Sequence, residues 1–319
     1  MTATRRTWLV RAISLLILVI VVIMLARYAR AIDWPAIGAA ITAYKIGSLA
    51  LAAALVAVSY LLYGTYEIAA RAYTGHGLPT GRVLAIACTS YAFNLNLGVW
   101  VGGGAVRYRL YARSGIKGSD IARIIAFSFA TNWLGYLVLA GGVFALDLVA
   151  LPDRFASGLQ SPRILGMVLL AAAAGYLLVC ALGQGRSWTL RGVVLRPPSL
   201  RLASVQIALS TANWLAIAGV LFVLMGQQID YGFTLGVVLI GAVAAAITHI
   251  PGGLGALEAV FLLLIGERMA RSDLLAALLV YRGLYYLAPL LLATIGYISL
   301  ESGSRLRAQR LATARNISD

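Results

Sequence analysis

The stretch that decides the fold is "AAAITHIPGGLGALEAVFLLLIGE", residues 244–267. It is an apolar run interrupted by a proline and three glycines, and Glu258 follows the interruption. Unpaired backbone groups cannot face hydrocarbon, so irregular chain at membrane depth is buried in protein or lines a wet cavity. Glycine permits a tight reversal, and Pro251 suits the first turn of a following helix, where its missing N–H is not needed. The stretch therefore predicts a broken helical hairpin that lines a cavity; close helix packing on small residues is the alternative.

The composition is that of an integral membrane protein. Of the 319 residues, 61% are hydrophobic and only 12% are charged, whereas soluble domains carry about 25% charged residues. The net charge of +15 would suggest nucleic acid in a soluble protein, but here it fits basic loops on the cytoplasmic side that contact anionic lipid. The two cysteines do not make a metal site. We expect a single membrane domain over 1–319, with no metal, no cofactor and no nucleic-acid partner.

Six stretches are long and apolar enough to cross a bilayer, which takes about 20 residues. They are 9–27, 47–68, 122–146, 164–183, 203–225 and 274–299. Two more, 83–106 and 233–265, are interrupted by glycine clusters. If each of these enters the membrane and returns to the same side, most basic residues, including the cluster in 107–123, fall on the side of the termini. The sequence therefore predicts an all-α polytopic protein of the bacterial inner membrane, with about six full spans, two re-entrant hairpins and both termini in the cytoplasm.

An internal repeat relates the two interrupted stretches. The pattern Gly-x-Gly-Ala-aliphatic-charged occurs at 102–107 and again at 253–258, an offset of 151 positions. The same offset carries each first-half span onto a second-half apolar segment, which predicts repeat halves of about 9–146 and 160–299 and a basic cytoplasmic tail at 300–319. Because three full crossings precede the second copy, it runs in the opposite direction. Inverted repeats whose broken segments meet near the midplane are typical of transporters.

Two charged residues are expected to meet inside the membrane. Glu258 has an apolar setting, and Arg282 lies within the final span. A charge at the centre of a span costs about 3 kcal/mol on insertion, so such residues pair or line a pathway. The pair is either a switch in a lipid or proton path or a static ion pair. Arg107, the repeat counterpart of Glu258, either reaches the cytoplasmic interface by snorkelling or holds a phosphate with its fork of donors.

Further polar residues near the interruptions are candidates to line the cavity. Singly, an intramembrane amide is explained by an interhelical hydrogen bond, a histidine by a satisfied donor and a tyrosine by packing. Together they indicate a polar interior. The candidate pathway residues are Asn94, Asn96, Gly103, Gly104, Arg107, Asn132, Asn213, His249, Pro251, Gly252, Gly253, Gly255, Glu258, Tyr281 and Arg282.

Three stretches, 91–116, 249–260 and 281–292, resemble the transmembrane flippase-like domain of bacterial lysylphosphatidylglycerol synthetases, and in particular the stand-alone YbhN-like inner-membrane proteins built from it. The resemblance covers nearly the whole chain, and Pro-Gly-Gly-x-Gly-x-x-Glu is its most specific part. It implies movement or delivery of phospholipid, with anionic lipids such as phosphatidylglycerol or cardiolipin as partners. The positions that match the signature of the family are Arg107, Pro251, Gly252, Gly253, Gly255, Glu258 and Arg282.

The leading expectation is a phospholipid flippase or lipid-transport component, with the phosphate head group in a polar cavity between the hairpins. The synthetases carry a further aminoacyl-transferase domain for which this chain has no material, and neither Gly-x-Ser-x-Gly nor His-Glu-x-x-His occurs. We therefore expect no enzymatic activity. A secondary transporter of a small molecule and a non-transporting membrane scaffold are the alternatives. A homo-oligomer or a partner membrane protein is compatible with each of them.

Overall fold

A computed structural model describes residues 34–149, 162–184, 188–190, 193–248 and 250–297. In chain order the elements are α1 Trp34–Thr42, α2 Ile46–Thr74, α3 Thr80–Gly98, a first π-helical segment Val99–Val106, α4 Arg107–Arg113, α5 Gly118–Ala145, α6 Pro162–Leu182, β1 Trp188–Leu190, β2 Val193–Leu195, α7 Leu200–Leu224, α8 Tyr231–Thr248, a 3-10 turn Pro251–Gly253, α9 Ala256–Ile265, α10 Arg271–Tyr281 and a second π-helical segment Arg282–Leu287. Helix then continues to Tyr297, and we call 271–297 the last span. The chain divides into 1–43, which contains α1, and 44–319, which contains every other element. The two short strands pair antiparallel.

Local signals set the ends of several helices. After α2, Gly75 adopts a left-handed conformation with φ 75°, and its N–H donates to the Arg71 carbonyl at 2.8 Å. This is the common glycine termination of a helix. Before α7, the Ser199 hydroxyl accepts a hydrogen bond from the Leu202 N–H at 3.3 Å, as serine does at a helix start. A short polar residue thus marks the start of one helix and a glycine the end of another, and the interiors of these helices are almost entirely apolar.

Six described helices are long and apolar enough to cross a membrane, as in the predicted all-α polytopic class. Five of them, α2, α5, α6, α7 and the last span, confirm predicted spans. The sixth is α8, Tyr231–Thr248, which the sequence assigned to the interrupted stretch 233–265. The predicted span 9–27 and the tail 300–319 lie outside the described residues.

The first interrupted stretch folds back on itself. α3 ends at Gly98, whose φ of 83° is open mainly to glycine. The first π-helical segment then lies along α3, so close that a Cβ added to Gly103 would sit 2.7 Å from Asn94 Oδ1. This stretch is therefore a hairpin. Its return to one side of a bilayer, and the inverted repeat, stay predictions.

The second interrupted stretch is also a hairpin, formed by α8 and α9. A Cβ on Gly241 would lie 2.7 Å from the Leu257 side chain, and one on Gly253 would lie 2.8 Å from Ala245 Cβ. Small residues thus let the two helices approach closely. Here too the re-entrant topology stays a prediction.

The helices pack around two buried clusters. The larger contains side chains from α2, α3, α5, α7, α8, α9 and the last span, and the smaller joins α2, α3, α4 and α5. The larger cluster includes Tyr60, Tyr63, Tyr91, Tyr281 and Tyr285. Both hairpins therefore lie against one central core that is unusually rich in tyrosine.

Close packing of α5 on α7 depends on Gly135. A Cβ there would overlap Ser210 Oγ and the Thr211 backbone nitrogen, whereas one on Gly142, in the same helix, would meet nothing within 4 Å. We expect Gly135→Ala to destabilise the protein by about 1–3 kcal/mol through overpacking. Gly142→Ala is expected to stabilise it by up to about 1 kcal/mol through helix propensity. Thermal unfolding in detergent measures both, and shifts of the same sign would contradict this packing.

Candidate functional site

The turn of the second hairpin is built from glycines in left-handed conformations. Gly252, Gly253 and Gly255 have φ angles of 67°, 57° and 82°. Residues other than glycine adopt such angles only with strain. Pro251 begins the 3-10 turn, and the Gly253 N–H donates to the Ile250 carbonyl at 2.8 Å. The turn leaves the carbonyl groups of Gly252 and Gly253 free to accept from another element. His249 lies outside the described residues.

Glu258 lies in the first turn of α9 and also binds the last span. Its Oε2 accepts from the Gly255 N–H at 2.8 Å, at the helix start. Its two oxygens accept from Arg282, Oε1 from Nε at 2.8 Å and Oε2 from Nη2 at 3.2 Å. This is a two-pronged contact, which gives arginine–carboxylate pairs their directional strength. The predicted proximity of Glu258 and Arg282 is confirmed.

Arg282 ties the glycine turn to the last span. Beyond Glu258, its Nη1 donates to the Gly252 carbonyl, and its Nη2 donates to the Gly253 carbonyl at 3.0 Å. The guanidinium carbon lies 4.5 Å from the centre of the Tyr286 ring, within the range of a cation–π contact. Arg282 is also the first residue of the second π-helical segment, a kind of helix defect that is frequent at functional sites. In this conformation most N–H donors of the Arg282 guanidinium bind groups of the second hairpin.

Arg107 has a different environment from the one expected. It is 4% exposed, so the expectation that it reaches the cytoplasmic interface is wrong. Its Nε lies 2.8 Å from Glu67 Oε1, although this N–H is not aligned for a hydrogen bond. Its Nη2 donates to the Tyr63 hydroxyl at 2.8 Å. A phosphate-holding role for Arg107 stays a prediction, because its fork is directed at protein groups here.

Glu67 is the residue that sequence reasoning missed. It is fully buried on α2, and its Oε2 accepts from the Tyr111 hydroxyl at 2.5 Å. It lies one position before the end of the predicted span 47–68 and was not among the predicted pathway residues. The sequence feature that could have identified Glu67 is its helical spacing from Arg71, which follows one turn later. The structure shows that the helix continues past both residues to Thr74.

The four candidate asparagines have separate environments. Asn96 Nδ2 donates to the carbonyl of Tyr286 at 3.2 Å and so joins the first hairpin to the last span. Asn213 Oδ1 accepts from the Ser59 hydroxyl at 2.6 Å. The Asn132 backbone carbonyl accepts from Ser210 and Trp214 on α7. Of the four asparagine side chains, only that of Asn94 lines the central cavity.

The central cavity lies where the tips of the two hairpins meet. Its volume is about 240 Å³, and a Cβ added to Gly252 would lie 3.5 Å from the carbonyl oxygen of Leu95. Within the described part of the chain the lining contains no charged side chain. Asn94 Oδ1 is buried there without a hydrogen-bond partner among the described residues. The polar lining includes Asn94, Gly252, Gly253, Tyr281, Tyr285 and Tyr286. Gly103 and Gly104 lie outside this lining.

Tyrosine hydroxyl groups connect the cavity to the interior of α2. Tyr285 Oη lies 2.9 Å from Tyr91 Oη and 2.6 Å from Ser59 Oγ. Tyr91 in turn stacks on Tyr63, with ring centres 3.7 Å apart. The cavity is therefore linked through aromatic contacts to the Tyr63 hydroxyl, which Arg107 binds.

An apolar groove of about 430 Å³ lies on the other side of this tyrosine cluster. It is formed by α2, α3 and the last span, and its lining is almost entirely apolar. Tyr60 lines the groove and donates to the carbonyl of Tyr285, a residue that lines the central cavity. The central cavity, whose lining combines polar groups with apolar side chains such as Trp214 and Leu257, is thus linked to the apolar groove by the Tyr60–Tyr285 contact. No group of His, Cys, Asp and Glu residues suited to a metal ion occurs among the residues that the structure describes.

Comparison with known proteins relates this site to a family. The family model described as the lysylphosphatidylglycerol synthase TM region matches residues 11–293. The chain is 44% identical over 304 residues to the inner membrane protein YbhN of Escherichia coli K12, covering 95% of this chain and 96% of that protein. It is 32% identical over 272 residues to an uncharacterised protein of Synechocystis, covering 82% of each. It is also 36% identical over 102 residues, 31% of this chain, to the phosphatidylglycerol lysyltransferase of Staphylococcus haemolyticus, of which the match covers 12%. The first two relatives match over most of their length, whereas the lysyltransferase matches over a small part.

Proposed function

Because the chain belongs to the family of the lysylphosphatidylglycerol synthase transmembrane region and is an integral inner-membrane protein, we propose that it moves phospholipid between the two leaflets through the cavity between its hairpins. The observation that carries the proposal is the junction of the two hairpin tips, where a cavity that carries polar groups among apolar side chains adjoins an almost entirely apolar groove. The cargo is an anionic phospholipid such as phosphatidylglycerol or cardiolipin. The role is transport rather than catalysis.

The Glu258–Arg282 pair supplies a way to bind a phosphate in a cavity without a charged lining. Arg282 lies directly behind Gly252 and Gly253, which line the cavity. A phosphate oxygen resembles a carboxylate oxygen as an acceptor for guanidinium. A lipid phosphate can therefore replace Glu258 as a partner of Arg282, and return of Glu258 then releases the lipid. In this proposal the pair is a switch, and the conformation described here is the locked state.

The apolar groove keeps the acyl chains out of the polar site. Its lining by α2, α3 and the last span suits hydrocarbon, and transfer of hydrocarbon into polar surroundings is unfavourable. The head group and the chains would thus lie on opposite sides of the Tyr60–Tyr285 contact. This arrangement distinguishes a lipid cargo from a soluble small molecule, which has no use for the groove.

Lipid movement in reconstituted liposomes tests the proposal directly. The liposomes contain fluorescent phosphatidylglycerol, and an external quencher reports the fraction of label in the outer leaflet. We expect the protein to make inner-leaflet label accessible, whereas liposomes without protein keep about half of it protected. Quenching equal to that of protein-free liposomes, with phosphatidylglycerol and with cardiolipin, would contradict lipid movement by this chain.

The unpartnered oxygen of Asn94 gives a sharper prediction. If a head group donates to it during passage, Asn94→Ala slows lipid movement by up to about tenfold, the equivalent of one hydrogen bond. Stability should change little, because the removed atom has no described partner. Thr211→Ala is the matched control, since Thr211 Oγ1 is also buried without a described partner but lies outside the cavity lining. Equal rates for the two variants would place the lipid path elsewhere.

A further inference from the structure

Glu67 is a fully buried carboxylate near the end of α2 that the proposed lipid path does not use. Seven residues separate it from Thr74, a distance of about 10 Å along a helix. Its charge is balanced by Arg107, and its second oxygen is held by Tyr111. Burial of an ionised carboxylate is unfavourable unless it is paired and fully hydrogen-bonded. Here Oε1 has no aligned hydrogen bond among the described residues, so the ionised form is incompletely satisfied.

The groups around Glu67 come from every helix that packs there. Neutral groups also face α2, among them the Asn213 amide on α7. The titratable and charged groups that interact with Glu67 are Arg107 and Tyr111 on α4 and Cys88 on α3. Tyr63 on α2 binds Arg107, and Arg71 on α2 interacts with Tyr111. Farther out, Asp120 on α5 interacts with His76, and Tyr285 on the last span contacts Tyr91 on α3. Arg107 is therefore the direct counter-ion of Glu67, and Tyr111 is its hydroxyl donor.

His76 and Tyr111 lie between the loop after α2 and Glu67. The His76 ring meets the Tyr111 ring edge-on, with ring centres 5.9 Å apart. The His76 Nδ1 accepts from the Leu78 N–H at 3.4 Å, and its Nε2 is buried without a described hydrogen-bond partner. Burial and the nearby charge of Arg71 lower the pKa of His76, which favours the neutral ring at pH 7. Histidine is the side chain that most readily takes up and releases protons near neutral pH.

On the inner side, hydroxyl groups lead from Glu67 toward the central cavity. Tyr63, Tyr91, Tyr285 and Ser59 form the chain of ring and hydroxyl contacts described above. Beside this chain, several buried polar atoms have no partner among the described residues. They are Tyr66 Oη, Ser90 Oγ and Asn213 Nδ2. Buried polar atoms of this kind are where proteins hold internal water.

We infer that Glu67 is a proton-binding site that receives its proton from the loop side through His76 and Tyr111. Protonation of Glu67 releases Arg107 and with it the first hairpin. His76 first takes up a proton from solution on the loop side and then gives a proton to Tyr111, while Tyr111 gives its hydroxyl proton to Glu67. His76 and Tyr111 both end neutral, and the net change is one proton moved from solution to Glu67. The neutral Glu67 then no longer attracts Arg107, which begins α4 directly after the first π-helical segment. The proton gradient thereby gives direction to movement at the hairpins. This inference goes beyond the proposed function, because proton binding at Glu67 does not require a lipid cargo.

Infrared difference spectra of the purified full chain test proton binding by itself. As the pH is lowered, the wild type is expected to gain a protonated-carboxyl component that is missing from the spectrum of Glu67→Gln, in which the other ten acidic side chains still contribute; in the outcomes below, the band means this component. Glu258→Gln is the matched control, since it removes the other paired carboxylate and should keep the band. Retention of the band in Glu67→Gln, or its absence from the wild type at every pH at which the protein stays folded, would overturn the inference.

Proton uptake into liposomes tests the route. A pH gradient is imposed, and a pH-sensitive dye inside the liposomes reports proton uptake. The uptake rate of Tyr111→Phe is expected to be at least about tenfold lower than that of the wild type, because a positioned proton donor is removed. Tyr136→Phe, a buried tyrosine bonded to the Leu239 carbonyl at 3.3 Å, is expected to match the wild type. Equal uptake by the two variants would overturn the route. Proton uptake without any lipid movement would overturn the proposed lipid function while leaving Glu67 as a proton site.

Discussion

The Arg282→Ala variant is expected to unfold on the order of 10 °C below the wild type. Arg282 binds Glu258 and also donates to the carbonyl groups of Gly252 and Gly253. Its removal leaves a mostly buried carboxylate without its counter-ion and two carbonyl oxygens without their donors, a loss of about 3–5 kcal/mol. Thermal unfolding in detergent, followed by the remaining fraction of monodisperse protein, measures the midpoint.

Two further variants separate the contribution of the hydrogen bonds at Glu258 and Arg282 to stability from the contribution of their charges. Glu258→Gln keeps an oxygen for both the Gly255 N–H and Arg282, so its midpoint should fall by less than half as much. Arg271→Ala removes an exposed arginine at the start of α10, and surface changes of this kind usually stay within about 0.5 kcal/mol. If the unfolding midpoint of Arg282→Ala equals that of Arg271→Ala, the ion pair does not hold the second hairpin.

The second large effect is expected from Arg107→Met, which should destabilise the protein by about 3–5 kcal/mol. The reason is that Glu67, fully buried, loses its counter-ion. The double variant Glu67→Met/Arg107→Met should recover at least half of that loss, because two apolar side chains leave no buried charge. Recovery stays incomplete, since the Tyr111 hydroxyl loses its acceptor. Double-mutant cycles on the unfolding free energy measure the coupling.

The chain offers an exposed ion pair as the control for this cycle. Asp120 and Arg123 lie 3.4 Å apart, with side chains 27% and 50% exposed. Their coupling should not exceed about 0.5 kcal/mol, the usual value for exposed helix pairs. A double methionine variant no more stable than Arg107→Met alone would contradict the description of Glu67 and Arg107 as one unit. If the double variant is stable but takes up no protons, the pair serves function rather than folding, as the inference on Glu67 requires.

The spans could be predicted because they depend on local properties. A membrane helix needs a continuous apolar length, which is visible in α2, α5, α6, α7 and the last span. The interruption at residues 251–255 was visible for the same reason, since proline and glycine act on their own backbone. α8 was predicted only as part of the interrupted stretch 233–265, and its 18 residues are by themselves long and apolar enough to cross a membrane. The re-entrant topology of that stretch stays a prediction.

The candidate site could be predicted only in part. The pairing of Glu258 with Arg282 followed from the cost of unpaired charge in a membrane, and the structure confirms it. The same argument predicted no partner for Arg107, because no local pattern in the sequence links it to Glu67. The backbone carbonyl partners of Arg282 could not be predicted either, since they arise from the left-handed turn at Gly252 and Gly253.

The sequence by itself determined that this chain lies in a membrane, where five of its helices run and where two of its apolar stretches break. Each of these depends on apolar length, backbone freedom or insertion cost within a short segment. Only the tertiary structure decided that Arg107 pairs with Glu67, and that Asn94 faces a cavity without charged side chains while Asn132 does not. The physical reason is that these contacts depend on which faces of distant helices meet, and helix packing brings together residues that share no local pattern.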